Sequence, residues 1–321
     1  MRSRCGRGRG RGVPSTRAGR WLLVAAALCV TGAPTRAQTT PRTRLVILGT
    51  GTPNADPERS GPATAVVVDG QAYIVDAGAG VVRRAAKAAR DDHIPALRPS
   101  RLDRLFLTHL HSDHTLGLPD LLLTPWVLDR PDPLTVYGPP GTKRMMDLIG
   151  EAWSEDIAIR RDGLEPHDHN RDAYKSVAHD VLPGVIYQDS LVKVTAYPVK
   201  HGSWAHAYAY RFEGPDRTIV ISGDTSPTDV IAEACAGCDV LVHEVYSAER
   251  FKTRPPEWQR YHKAFHTSTV ELAAIANRAR PKMLVLYHQL YWGTDDAGLV
   301  KEMRSAGYAG PLASARDLDV F

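Results

Sequence analysis

The sequence predicts a layered α/β domain in which helices cover sheets. Three observations carry that expectation. Short apolar runs of strand length recur along the chain, helix-length segments alternate with them, and histidine or aspartate repeatedly follows the C-terminal end of an apolar run.

In chain order, Leu45–Leu48 reads as a strand ending in the turn-rich Gly49-Thr50-Gly51-Thr52-Pro53. Thr64–Val68 and Tyr73–Val75 flank Asp69-Gly70, a hairpin signal because both turn residues tolerate positive φ. Val81–Ala89 is expected to be a helix, Leu105–Leu107 a buried strand, Leu118–Leu128 a helix and Leu134–Tyr137 a strand. Further strands are expected at Val192–Tyr197, Ala207–Phe212, Thr218–Ile221, Val240–Val242 and Met283–Tyr287. Helices are expected at Asp229–Ala234 and Thr269–Arg278, the second ended by Pro281. Residues 155–189 break the pattern with eight acids, four bases and three histidines (His167, His169, His179), and read as an inserted acidic surface arm with solvated histidines.

At 321 residues the chain suits one large domain or two small ones. Its 43% apolar and 24% charged residues exclude a disordered polyelectrolyte. Four cysteines are too few for a disulfide framework. No apolar run reaches the ~18 residues that a membrane-spanning helix needs.

The formal charge of +4 invites a nucleic-acid reading, but its source is local. Residues 1–37 hold eight arginines and no acids, followed within that segment by the short apolar run Trp21–Val30 and the small-residue site Thr35-Arg36-Ala37. Basic, apolar and small-residue parts in that order read as a secretory signal peptide, so residues 38–321 are expected to be the domain, periplasmic or secreted. Removing 1–37 leaves 32 bases against 36 acids, a formal charge of −4 over 284 residues. On that arithmetic a nucleic-acid partner is not expected.

The densest chemistry is Thr108-His109-Leu110-His111-Ser112-Asp113-His114, just after an apolar strand. In extended chain, residues two apart face one side, so His109, His111 and Asp113 can converge while His114 turns in from the other. Imidazole nitrogen and carboxylate oxygen suit zinc at about 2.0–2.2 Å. Four donors in six residues exceed what one ion takes from one loop, so two metals are implied. His201, Asp224 and His288 each follow an apolar strand and complete the candidate set.

With these residues in place the chain resembles the metallo-β-lactamase superfamily. His109-x-His111-x-Asp113-His114 matches its main motif, His201, Asp224 and His288 its later ligands, and Asp76 its early supporting aspartate. The resemblance implies an αββα sandwich, two mixed sheets flanked by helices, binding two Zn2+ ions. Leu48–Pro53, Ile221-Ser222-Gly223-Asp224-Thr225, His243-Glu244 and Phe265-His266-Thr267-Ser268 resemble the RNase Z and arylsulfatase-like branch. By the family pattern His109, His111 and His201 hold one zinc, Asp113, His114 and His288 the other, and Asp224 bridges them. Asp113 then orients the attacking water or accepts its proton, and His266, oriented by Glu244, serves the leaving oxygen.

Several functions are compatible with this constellation. The leading expectation is a secreted dizinc hydrolase of small-molecule phosphate or sulfate esters, phosphodiesterase- or arylsulfatase-like. An RNase Z-type 3′-tRNA-processing endoribonuclease ranks below it, because export and an acidic arm both disfavour tRNA precursors. A lactone or β-lactam hydrolase and a non-catalytic zinc-binding protein complete the alternatives, and homo-oligomerisation is left open. Two weaker features remain. Cys235 and Cys238 read as helix-end packing or, in an oxidising compartment, a local disulfide. Trp204, Tyr246, Tyr261, Tyr291 and Trp292 are either an aryl-accepting pocket or packing.

Overall fold

Strands buried on both faces read as unbroken apolar runs, and β1 (Thr43–Gly49) shows how. Leu45 and Ile47 point into one apolar cluster, Val46 and Leu48 into another on the opposite face. The computed structural model describes residues 41–166 and 168–321. The expected signal peptide, residues 1–37, and His167 lie outside the described residues.

The first sheet adds β2 (Ala63–Val68), β3 (Gln71–Val75), β4 (Arg104–Phe106), β5 (Leu134–Gly138) and β6 (Ser176–Asp180), in sequential order. Its first three strands are antiparallel and the rest parallel. Between them come α1 (Val81–Asp91), α2 (Ser112–Thr115), α3 (Leu118–Val127), α4 (Thr142–Ala152) and α5 (Ser154–Asp162).

The second sheet contains β7 (Gly184–Gln188), β8 (Lys193–Pro198), β9 (Tyr208–Glu213), β10 (Thr218–Ile221), β11 (Val240–Tyr246), β12 (Met283–Leu290) and β13 (Leu312–Ser314), again in sequential order. Its helices are α6 (Val230–Cys235), α7 (Ala248–Phe251), α8 (Pro256–Phe265), α9 (Thr269–Ala279) and α10 (Asp296–Ser305).

Leu45, Ile47, Tyr73, Phe106, Tyr210, Phe212, Val242 and Val285 fill the space between the sheets. Val46, Leu48 and Ile74 pack outward with α1 and α3, while Val220, Leu241 and Leu286 pack outward with α6, α9 and α10. The result is the four-layer αββα sandwich of two mixed sheets flanked by helices, and Pro41–Phe321 form one compact unit. The last residues close it. Leu45 and Phe321 exchange backbone hydrogen bonds (3.0 and 2.9 Å), and Asp317 Oδ1 accepts from Thr50 N at 2.9 Å while its Oδ2 accepts from Ser60 N at 2.7 Å.

Residues 155–189 do not form the expected arm. They supply α5 after its first residue and the edge strands β6 and β7, one in each sheet. Their polarity is that of edge strands with one exposed face, which acidic composition alone cannot distinguish from a loop. His169 and His179 are exposed, and His169 pairs with Asp129 at 3.1 Å.

Arg130 anchors this crossover from within. Its side chain is fully buried, and burial pushes the guanidinium down to about 10. It donates to the carbonyls of Leu121, Leu122, Asp132 and Ala173 at 2.7–3.0 Å. Arg130→Leu strips several buried carbonyls of their donors. We expect it to destabilise the fold by roughly 3 kcal/mol, read as a lower denaturation midpoint at unchanged m-value.

Candidate metal centre and active site

The donor residues reach one point because each leaves the end of a buried strand. His109, His111, Asp113 and His114 follow β4, His201 follows β8, Asp224 follows β10, and His288 lies near the end of β12. His288 and Asp76 both adopt positive φ (47° and 62°), strained conformations for non-glycine residues that recur at functional sites. Gly223, at φ 59°, lets Asp224 approach. A Cβ there would lie 2.8 Å from the Thr108 Cβ.

Nitrogen and oxygen atoms converge in three groups, each with its atoms within 4.8 Å of one another. His109, His111, His201 and Asp224 form one group, Asp113, His114 and His288 a second, and Asp224, His266 and His288 a third. Asp224 Oδ2 is the common point: His109 Nε2 is 4.0 Å away, His114 Nε2 3.5 Å, His288 Nε2 3.6 Å and His266 Nδ1 3.9 Å.

Behind this cage, His109, His114 and His201 donate from the nitrogen that faces away, as metal-binding imidazoles do, whereas His288 Nδ1 has no partner. His114 Nδ1 donates to Asp76 Oδ2 at 2.8 Å, and His201 Nδ1 donates to the Phe265 carbonyl at 2.8 Å. Thr108 Oγ1 donates to Asp76 Oδ2 (2.9 Å) and accepts from His109 Nδ1 (3.0 Å). Trp204 Nε1 donates to His111 Nε2 at 2.7 Å. His114 Nε2 and Asp224 Oδ1, both in the cage, are among the buried atoms without a hydrogen-bond partner. Buried polar atoms are rarely left unpaired, and donors of this chemistry fit a divalent cation.

The electrostatics agree. Burial holds His109 well below its ordinary value, brings His201 to about 3 and lowers His111, so all three are neutral, as ligands must be. Burial opposes the charge on His114 too, yet Asp224, Asp76 and Asp113 together carry it well above the usual imidazole range. Burial also disfavours the Asp224 carboxylate, but His288 and His114 keep it well below its ordinary value. The cage therefore calls for positive charge, which a divalent metal supplies.

His266 and Glu244 form a separate pair at the rim. His266 Nδ1 is 3.3 Å from Glu244 Oε2, within ion-pair range although neither atom completes a hydrogen bond. Glu244 Oε1 accepts from Thr267 N at 2.7 Å, and the Ser268–Glu271 capping box starts α9 directly behind. Burial, followed by Asp224, raises Glu244 well above the carboxylate range, and burial takes His266 down to about 4.

The structure thus brings together every metal-site and catalytic candidate of the sequence, with Asp76 and Glu244 placed behind them. Sequence reasoning missed Thr108 and the Phe265 carbonyl. A hydroxyl directly before the motif was the only available signal for the first, and a backbone acceptor leaves none.

Of the aromatic candidates, Tyr246 and Trp292 pack on Phe251, Tyr291 donates to Asp296 and lies under Arg59, and Trp204 holds His111. A cleft of about 540 Å³ opens beside Asp113 instead, lined by Thr52, Asn54, Arg59, Ser112 and Leu116. Cys235 and Cys238 form a disulfide at the end of α6.

The family description "Beta-lactamase superfamily domain" matches residues 51–289. Ribonuclease Z of Mycobacterium bovis BCG is 34% identical over 247 residues, which are 76% of this chain and 85% of the relative. Among solved structures, the metallo-beta-lactamase fold protein YhfI from Bacillus subtilis superposes with a TM-score of 0.66 at 17% identity, covering 88% of this chain and all (100%) of that one. The short form of human tRNase Z gives 0.63 at 21%, covering 87% and 98%. At these identities the structures speak for the fold alone.

Loading the cage should couple to stability, because the metal binds only the folded arrangement. At a hundredfold excess over Kd the gain is about 2.7 kcal/mol, or a melting temperature higher by roughly 5–10 °C. Scanning calorimetry with chelator and then with restored Zn2+ checks this. Asp76→Ala should weaken metal affinity about 10–100-fold, measured by competition with a chromogenic chelator.

Proposed function

We propose that this chain, which belongs to the beta-lactamase superfamily and within it to the ribonuclease Z family, hydrolyses RNA phosphodiester bonds as a 3′-tRNA-processing endoribonuclease does. The observation that carries the proposal is its kinship with ribonuclease Z over most of both chains. Family and cage make the protein a metal-dependent hydrolase acting on ester bonds.

This corrects the expectation of a secreted hydrolase of small-molecule phosphate or sulfate esters, which the ribonuclease Z relatives overturn. It corrects as well the inference from a negative formal charge that a nucleic-acid partner is not expected. The total sums over the whole surface, whereas a backbone is gripped by a local patch. The acidic-arm argument falls with the arm itself, since β6 and β7 are sheet edges.

Two Zn2+ ions, held by His109, His111 and His201 and by Asp113, His114 and His288 with Asp224 between, would supply Lewis acidity and an acidified water. Asp113 takes the proton of the attacking water. Glu244 and His266 act as one unit with one proton between them. Burial raises Glu244 and lowers His266, which favours the proton on Glu244, and His266, 3.3 Å away, is the group that would serve the leaving oxygen. The cleft beside Asp113 admits the chain on either side of the scissile phosphate.

Residues 1–37 support a further reading, export to an oxidising compartment, with which the Cys235–Cys238 disulfide is consistent. An exported enzyme would meet RNA outside the cytoplasm rather than tRNA precursors. Cell fractionation with N-terminal sequencing tests this: an intact residue 1 on cytosolic protein would refute it.

For the activity, chelator-sensitive cleavage of a precursor tRNA is expected. Hydrolysis of aryl phosphodiester or aryl sulfate with every RNA left intact would overturn the ribonuclease reading. His266→Ala should lower kcat about 10²–10³-fold with metal content unchanged. Loss of metal in that variant would instead make His266 a ligand.

A further inference from the structure

The segment between β11 and His266 is locally basic. Residues 248–265, comprising α7 and α8, carry five bases (Arg250, Lys252, Arg254, Arg260, Lys263) against two acids (Glu249, Glu257). Arg250, Lys252, Arg260 and Lys263 are exposed. None of the five forms an ion pair among the described residues, and Arg254 lies over the Trp292 ring at 5.4 Å. Bases on α1 and α5 are neutralised by contrast: Arg83, Arg84 and Lys87 on α1 pair with Asp120, Asp317 and Asp91, and Arg160 on α5 with Asp156. A helix that keeps its bases unpaired beside an active site presents positive charge to a partner.

A second, independent observation links this charge to the site. Trp258 is 47% exposed, an unusual position for the largest side chain. It meets Tyr261 edge-on with centroids 5.6 Å apart, and Tyr261 stacks on Phe265 at 4.3 Å. Phe265 in turn meets the His201 ring at 4.9 Å. On its other side Trp258 stacks on His262 at 5.7 Å, which faces His266 at 5.7 Å. The aromatic series runs unbroken from solvent to the donor cage. At ~1.5 Å per residue, Trp258 to His266 spans about 12 Å along the helix, or three to four nucleotides at ~3.4 Å each.

We infer that α7 and α8 form the ridge that grips single-stranded RNA next to the scissile phosphate. A base stacks on Trp258, and the phosphates run past Arg260 and Lys263. Stacking platforms interleaved with unpaired bases are what a strand of unpaired nucleotides requires, since every base offers a π-face and every residue of backbone a charge. The inference rests on the ribonuclease reading of the same site and deepens it by naming how the substrate is held. Arg260 and Lys263, three residues apart, share a helix face and act together.

The test compares the metal-loaded full chain with Arg260→Gln/Lys263→Gln and Trp258→Ala. Lys301→Gln on α10, which packs on the outer face of the second sheet, serves as the charge control. Two quantities are read: kcat/KM for a single-stranded RNA relative to that for a small aryl phosphodiester, and fluorescence anisotropy of a labelled RNA across a salt series. The double variant should lower the RNA-to-diester ratio about tenfold near 0.15 M salt and reduce the slope of log K against log[salt] by about 1.4. Trp258→Ala should weaken RNA binding by about five- to a hundredfold with the slope kept, and Lys301→Gln should match wild type. RNA cleaved with the wild-type ratio and slope by both ridge variants would overturn the ridge and leave the ribonuclease reading intact. RNA bound with the expected losses yet never cut would keep the ridge and overturn the ribonuclease reading. Absence of RNA binding by the wild-type chain would overturn the ridge.

Discussion

Asp76 is the constraint on which the site depends. Its carboxylate has no access to solvent, sits at the end of β3 in a strained backbone conformation, and must find all its partners inside the protein. It finds them in Thr108 N, Thr108 Oγ1 and His114 Nδ1, all on the segment after β4. Satisfying one buried charge therefore fixes the direction of the ligand loop, and through Thr108 the orientation of His109 as well. Cation binding then needs little rearrangement, because His109, His114 and His201 are already held by the nitrogens that face away from the centre.

Much of this was legible in the sequence, for physical reasons. β1, β2 and β12 are covered on both faces, so they appear as unbroken apolar runs at the right length. The ligands were legible because a metal requires particular donors at strand ends, and few other pressures concentrate histidine and aspartate so tightly. β6 and β7 were not legible, since edge strands bury only part of one face. α8 was missed because its aromatic and basic residues serve contacts across the molecule and give no clean apolar stripe. Hydrogen bonds to backbone carbonyls, such as that from His201 to Phe265, leave no trace in residue identity.

The formal charge of residues 38–321, −4, is a sum over the whole surface and does not fix the sign of any one patch. Fields at a few ångströms are set by neighbours, because screening removes distant contributions within about 8–10 Å. On α1 and α5 acids answer the bases beside them, whereas the five bases of residues 248–265 form no ion pair among the described residues.

The closure of the sandwich by residues 317–321 has a consequence for biosynthesis. Ser60, on the wall of the cleft, is held by Asp317, 257 residues further along the chain, and β1 shares hydrogen bonds with Phe321. At ~5–20 residues per second, a ribosome needs on the order of tens of seconds to add the missing partner. Until it emerges, the cleft wall has no anchor even though the first sheet is already translated. A hydrolase built this way stays incomplete until residues 317–321 have been made and are free to return to β1.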